Sequence, residues 1–136
     1  MGDKHVEVDA ETDRIASIVV DAAFKLHSAL GPGLLESVYE AFYCHELKLR
    51  GLKVDKQVML PLSYEGMTVD GGLRLDLLVE DRLVIELKAI ETLLKVHHAQ
   101  LKTYLKLSGH GLGLLINFNV PLIKDGIHRI AFTPKQ

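Results

Sequence analysis

Residues 73–89 read LRLDLLVEDRLVIELKA, two apolar runs on either side of a short polar segment. The runs have the length and the Leu, Val and Ile content of β-strands, so they predict a hairpin with strands at residues 73–79 and 83–87. Charged residues interrupt or directly follow the apolar strands: Arg74 and Asp76 lie in the first, Glu86 lies in the second and Lys88 comes immediately after it. Because a charge in an apolar strand is costly unless it is paired or binds a metal, this hairpin is the first place to look for a functional site.

The length of the hairpin turn decides whether these charges can meet. Glu86 and Lys88 are two residues apart on one strand, so their side chains share a face. A two-residue turn at 81–82 would place Asp76 on the opposite face. A three-residue turn at 80–82 places Asp76 directly across from Glu86. A single shared site therefore predicts the three-residue turn.

Two adjacent carboxylates suggest a divalent cation. The negative charges of Asp76 and Glu86 would repel each other, and a hard cation relieves that repulsion. Carboxylate oxygens suit Mg²⁺ or Mn²⁺, and the Lys88 ammonium can orient water or stabilise charge that develops on a phosphate. The spacing alone also fits a buried ion pair without chemistry, either Glu86 with Lys88 or Asp76 with Arg74.

The rest of the chain predicts an α/β fold. Hydrophobic periodicity predicts helices at residues 12–30, 34–50 and 95–107, and further strands at residues 54–64, 112–117 and 127–132. The order ααβββαββ is typical of a mixed β-sheet flanked by helices. Pro61 favours an edge position for its strand, and residues 70–72 (DGG) predict a turn.

The second helix has two candidate faces. Its apolar stripe predicts a buried face of four residues: Leu35, Val38, Phe42 and Leu49. Glu36, Glu40 and Tyr43 lie on a different face at spacings of four and three. On this reading the acidic residues of the helix lie away from the core.

Composition sets the class of protein. The 136 residues are 48% hydrophobic and 25% charged, which fits one globular domain over 1–136 with residues 1–11 as a flexible lead-in. A net charge of −2 excludes a protein that coats nucleic acid through bulk charge. Residues 82–110, however, contain five Lys or Arg residues and only two Glu, so this segment is locally basic. The single cysteine, Cys44, and the lack of a membrane span indicate a cytoplasmic protein.

Three separated motifs resemble a known family. Asp76 with Glu86-Leu87-Lys88 is similar to the signature of the PD-(D/E)xK nuclease superfamily, and residues 33–39 (GLLESVY) resemble the motif of its GxxExxY branch. Residues 97–105 are also similar to that family, and the resemblance extends over residues 12–132. It implies a restriction-endonuclease-like core.

The resemblance also implies roles for individual residues. Asp76 and Glu86 would be metal ligands and Lys88 the catalytic lysine. Glu36 would support the metal directly or through water, with Glu40 as the alternative acid one turn further on. Gln100 would match the glutamine that follows the E-x-K strand. Tyr39 completes the GxxExxY motif without an evident chemical role.

The predicted function is a Mg²⁺- or Mn²⁺-dependent nuclease acting on DNA. A domain this small covers few base pairs, so a homodimer or a larger complex is expected. The alternative is a nucleic-acid-binding or protein-interaction module that keeps the fold and has no activity. The adjacent histidines His97 and His98 point about 100° apart on a helix, so they are poor co-ligands for a metal.

Overall fold

The computed structural model describes residues 8–133. Within them the chain forms α1 (Ala10–Leu30), α2 (Glu36–Leu49), β1 (Val54–Tyr64), β2 (Met67–Val79), β3 (Leu83–Lys88), α3 (Lys95–Ser108), β4 (Leu112–Asn117) and β5 (Ile127–Ala131). A short 3₁₀ turn, Ile123–Asp125, precedes β5. The predicted order ααβββαββ is confirmed.

The five strands form one mixed sheet in the order β1-β2-β3-β4-β5. Strands β3 and β4 run parallel, and the other neighbours are antiparallel. All six residues of β4 are buried, as expected for a central strand covered on both faces. Strand β1 is an edge, where Pro61 is tolerated because one side of the strand needs no donor.

Helices cover both faces of the sheet. On one face, α1 and α2 pack through a large apolar cluster that includes Val19, Leu47 and Ile85. On the other face, α3 packs Leu101 and Leu105 against a smaller cluster. The sheet is therefore enclosed along its centre.

The first helix begins earlier than predicted. Asp9 caps it by accepting a 2.7 Å hydrogen bond from the Thr12 N–H. Ala10 and Glu11 are therefore helical, which corrects the assignment of 1–11 as a flexible lead-in. The first seven residues of that segment lie outside the described residues.

The predicted buried face of α2 is wrong. Leu35, Phe42 and Leu49 are exposed, with Leu35 at 73%, and Val38 is only half-buried. The helix instead buries four other residues: Tyr39, Tyr43, Cys44 and Leu47. The two tyrosines can be buried because each hydroxyl reaches a backbone carbonyl.

The predicted turn at residues 70–72 is also wrong. Strand β2 runs through this segment as a bulge, because Leu60 pairs with Leu73 while Leu62 pairs with Val69. Three residues of β2 thus lie opposite Pro61 alone. Proline has no N–H to pair, so the interrupted ladder loses little there.

Candidate functional site

The hairpin between β2 and β3 has the predicted three-residue turn. Strand β2 ends at Val79 and β3 begins at Leu83, and Leu77 lies opposite Ile85. Glu80 and Asp81 both adopt positive φ angles, 54° and 55°, to close it. The same register puts Asp76 and Glu86 opposite each other on adjacent strands.

The Asp76 and Glu86 carboxylates each accept a hydrogen bond from a backbone N–H of the opposite strand. The Asp76 N–H donates to Glu86 Oε2 at 3.0 Å, and the Leu87 N–H donates to Asp76 Oδ2 at 2.9 Å. The paired residues of the β2–β3 ladder end at Leu77 and Ile85, so these side-chain bonds continue the connection between the strands. Asp76 and Glu86 are each only 5% exposed. Their positions are thus fixed by the strands themselves.

One oxygen of each carboxylate remains open. Asp76 Oδ1 and Glu86 Oε1 accept no hydrogen bond from residues 8–133, although Arg74 Nη2 lies 3.9 Å from Oδ1. Both oxygens reach solvent, because every fully buried side-chain N or O atom in the described part of the chain has a partner. Two open carboxylate oxygens suit a hard divalent cation.

Without a cation, burial and mutual repulsion disfavour two negative charges on Asp76 and Glu86. Burial, followed by the nearby charge of Asp76, raises the pKa of Glu86 to about 8. The Asp76 N–H and the ammonium of Lys88 act in the opposite direction without overcoming these effects. The Glu86 carboxyl therefore holds a proton near neutral pH unless another positive charge arrives.

The edge strand is distorted opposite Asp76. On β1, Lys56 pairs with Leu77 and Val58 pairs with Leu75, so Gln57 lies opposite Asp76. The φ angle of Gln57 is 53°. The Gln57 side chain donates to Glu40 Oε2 of α2 at 2.7 Å. Glu40 therefore supports the strand beside Asp76.

Glu36 occupies a different position from Glu40. It is the exposed first residue of α2. Partial burial of its carboxyl and then the charge of Asp76 raise the pKa of Glu36, while Lys88 lowers it. Glu36 thus lies within the electrostatic reach of the site. Among residues 8–133, however, no three His, Cys, Asp or Glu side chains are close enough to hold a metal together.

Helix α3 brings Gln100 and Tyr104 to the same site. Gln100 Nε2 donates to the Tyr104 hydroxyl at 3.2 Å. Burial and then the charge of Glu86 raise the pKa of Tyr104, so its phenol lies within electrostatic reach of the carboxylates. Gln100 also lines a depression together with Lys88. Tyr104 was not predicted as a site residue, although its spacing of four residues from Gln100 places both on one helical face.

Sequence comparison agrees with this geometry. The family model of the PD-(D/E)XK nuclease superfamily matches residues 13–130. The chain belongs to the PD-(D/E)XK nuclease superfamily. Nucleases of this superfamily bind nucleic acid and generally use divalent metals. Comparisons with curated proteins and with solved structures returned no match.

No helix within residues 8–133 is long and apolar enough to cross a membrane.

A buried asparagine that was not predicted as a site residue fixes the end of the E-x-K strand in this PD-(D/E)XK domain. Asn117 accepts from the Ile90 N–H at 3.1 Å and donates to the Ile90 carbonyl at 2.9 Å. The next residue, Phe118, donates its N–H to the Lys88 carbonyl at 3.0 Å. The backbone around Lys88 is therefore held from β4. The only signal in the sequence is a polar residue at the end of an apolar run.

Tyr39 supports the loop that leads into α2. Its hydroxyl donates to the Gly31 carbonyl at 2.6 Å and accepts from the Leu34 N–H at 3.1 Å. The ring stacks on Phe118 with centroids 4.8 Å apart. Tyr39 is thus a positioning residue for the start of α2, where Glu36 lies.

Tyr39→Phe is expected to lower the free energy of unfolding by about 1–2 kcal/mol, because the Gly31 carbonyl and the Leu34 N–H lose their partly buried hydrogen bonds to the hydroxyl. Urea unfolding followed by circular dichroism measures the change. The matched control is Tyr64→Phe, since Tyr64 is 81% exposed and should lose almost nothing. Equal stability of the two variants would contradict the supporting role.

Proposed function

We propose that this protein is a divalent-metal-dependent nuclease that hydrolyses phosphodiester bonds in DNA. The observation that carries the proposal is the pair of buried carboxylates, Asp76 and Glu86, each with one open oxygen. Their strands also present Lys88 close enough to lower the pKa of Glu86. Membership of the nuclease superfamily gives this arrangement its chemical context.

The donor set suits Mg²⁺ or Mn²⁺. Asp76 Oδ1 and Glu86 Oε1 would hold the ion, and Mg²⁺ commonly keeps several waters beside one or two carboxylates. Two protein ligands are therefore sufficient, and Glu36 would act through one of those waters. When bound, the metal supplies a Lewis acid and an activated water.

The remaining side chains have separate roles. The Lys88 ammonium would stabilise negative charge on the phosphate as it develops. Gln100, held by the Tyr104 hydroxyl, would orient the substrate beside Lys88. Glu40 supports the distorted edge strand through Gln57, so Glu36 is the better choice for the acid near the metal.

We assign the chain to the GxxExxY branch of the superfamily. Gly33, Glu36 and Tyr39 fill the motif. Tyr39 holds the loop before α2. The charge of Asp76 raises the pKa of Glu36, and the charge of Lys88 lowers it. The motif therefore acts as one unit that places an acid at the edge of the site.

The proposed partner is DNA, bound in the cytoplasm by a homodimer or a larger complex. Helix α3 has three exposed lysines, Lys95, Lys102 and Lys106, which can contact the phosphate backbone. A small domain contacts few base pairs, and a second copy would extend the contact.

Purified protein should cleave DNA with Mg²⁺ or Mn²⁺ and lose all cleavage in EDTA. Single-stranded, duplex and branched DNA and RNA are compared on denaturing gels. Lys88→Met should reduce the rate by about 100-fold or more, a loss typical of removing one charge-stabilising group. Lys48→Met, which alters an exposed lysine in the last turn of α2, serves as its control and should stay within about threefold. Cleavage that persists in EDTA, or in Lys88→Met, would contradict the mechanism.

The non-catalytic binding module makes the opposite prediction. It would cleave none of these substrates, and calorimetry would detect no Mg²⁺ or Mn²⁺ binding.

A further inference from the structure

A depression of about 470 Å³ lies beside Lys88 on the surface of α3. Its volume falls in the range of small-molecule sites, roughly 300–1,000 Å³. Six residues line it: Lys88, Val96, His97, Ala99, Gln100 and Thr103. None is acidic, and four of them can donate hydrogen bonds. The depression therefore favours a ligand that carries negative charge.

His97 has a fixed orientation in this depression. Its Nδ1 accepts a 2.8 Å hydrogen bond from the Leu94 N–H at the start of α3. An imidazole nitrogen that accepts cannot carry the hydrogen, so the neutral ring carries it on Nε2. Nε2 makes no hydrogen bond to the described residues. His97 thus lines the depression with a ring whose Nε2–H is not used by the described residues.

The neighbouring histidine is engaged elsewhere. The ring of His98 meets His128 of β5 edge to face, with centroids 4.8 Å apart. His98 does not line the depression. The two adjacent histidines therefore have different surroundings, which makes His98 a matched control for His97.

We propose that this depression binds the nucleotide next to the scissile phosphate, with His97 Nε2–H donating to that nucleotide's own phosphate. The inference rests on the proposed nuclease function. Lys88 belongs both to the depression and to the surroundings of the carboxylates, so the two sites are continuous. Val96 and Ala99 supply an apolar surface for the sugar and base, while His97 sets the position of the strand.

Two substitutions separate this role from helix capping. His97→Asn keeps an acceptor near the position of Nδ1 but removes the distal donor. His97→Gln places an amide N–H near the position of Nε2 and gives up the cap. If His97 contacts phosphate, His97→Asn should weaken binding about tenfold, the size expected for a hydrogen bond to a charged group, and His97→Gln should recover most of it. If His97 only caps α3, His97→Gln should instead bind DNA more weakly than His97→Asn.

Binding is measured by fluorescence anisotropy with a labelled oligonucleotide in EDTA, and KM and kcat are measured with Mg²⁺. The expected result for His97→Asn is a raised Kd and KM with kcat within about twofold, while His98→Asn behaves as wild type. If wild type binds and cleaves but both His97 variants match it, or only His97→Gln is weakened, the subsite is overturned and the nuclease function stands. If wild type neither binds nor cleaves, both are overturned.

Discussion

Asp76→Asn is expected to reduce the rate of DNA cleavage by about 1,000-fold or more. The substitution removes the negative charge of one of the two proposed metal ligands, and metal catalysis is worth several kcal/mol. The asparagine oxygen can still accept from the Leu87 N–H, so the hairpin is preserved. Initial rates with Mg²⁺ measure the loss of cleavage, and calorimetric titration with Mn²⁺ measures the loss of metal affinity.

Asp70→Asn is the matched control for this substitution. Asp70 lies on the same strand but is exposed within the bulge. Its removal should leave cleavage within about twofold and metal affinity unchanged. If Asp76→Asn cleaved as fast as Asp70→Asn, the proposed metal site would be wrong even though the fold was right.

The hairpin was predictable because its physics is local. Side chains alternate along a strand, so the turn length alone decides whether Asp76 and Glu86 share a face. The apolar content of Leu112–Asn117 likewise predicted a central strand, since only a strand covered on both faces tolerates such a run. These features depend on residues close together in sequence.

The face of α2 was not predictable in the same way. Tyr43 reads as polar in a helical pattern, yet it is buried because its hydroxyl donates to the Val19 carbonyl at 2.6 Å. That carbonyl is 24 residues away in the chain. The pair of Glu40 with Gln57, and the two bonds between Asn117 and Ile90, have the same character. Such contacts exist only after the elements have packed.

The helical members of the site came from family resemblance and not from spacing. Gln100 reads as an ordinary helix glutamine, and Glu36 as a solvated acid at a helix start. The structure brings both near the carboxylates, while their chemical roles stay predictions. Tyr104 was missed because a phenol in an amphipathic helix usually belongs to the core.

Glu86→Gln is expected to stabilise the metal-free protein at alkaline pH. The pKa of Glu86 is about 8 in the folded chain and 4.5 as its ordinary value. Between pH 4.5 and about 8, the folded state therefore keeps a proton on Glu86 that the unfolded state has released. The contribution of Glu86 to wild-type stability should therefore fall as the pH rises from 4.5 through about 8. Glutamine carries no charge at any pH, so the variant should be more stable by on the order of 5 kcal/mol at pH 9.

Urea unfolding in EDTA between pH 5 and 9 tests this sign directly. Glu91→Gln is the control, because Glu91 is exposed in the loop before α3 and should keep the wild-type pH dependence. Added Mg²⁺ should narrow the difference at pH 9, since a cation that binds the folded state through Glu86 stabilises wild type more than Glu86→Gln. If the difference in stability between wild type and Glu86→Gln did not change between pH 5 and 8, Glu86 would already be ionised in the folded chain, and the need for a cation at this pair would disappear.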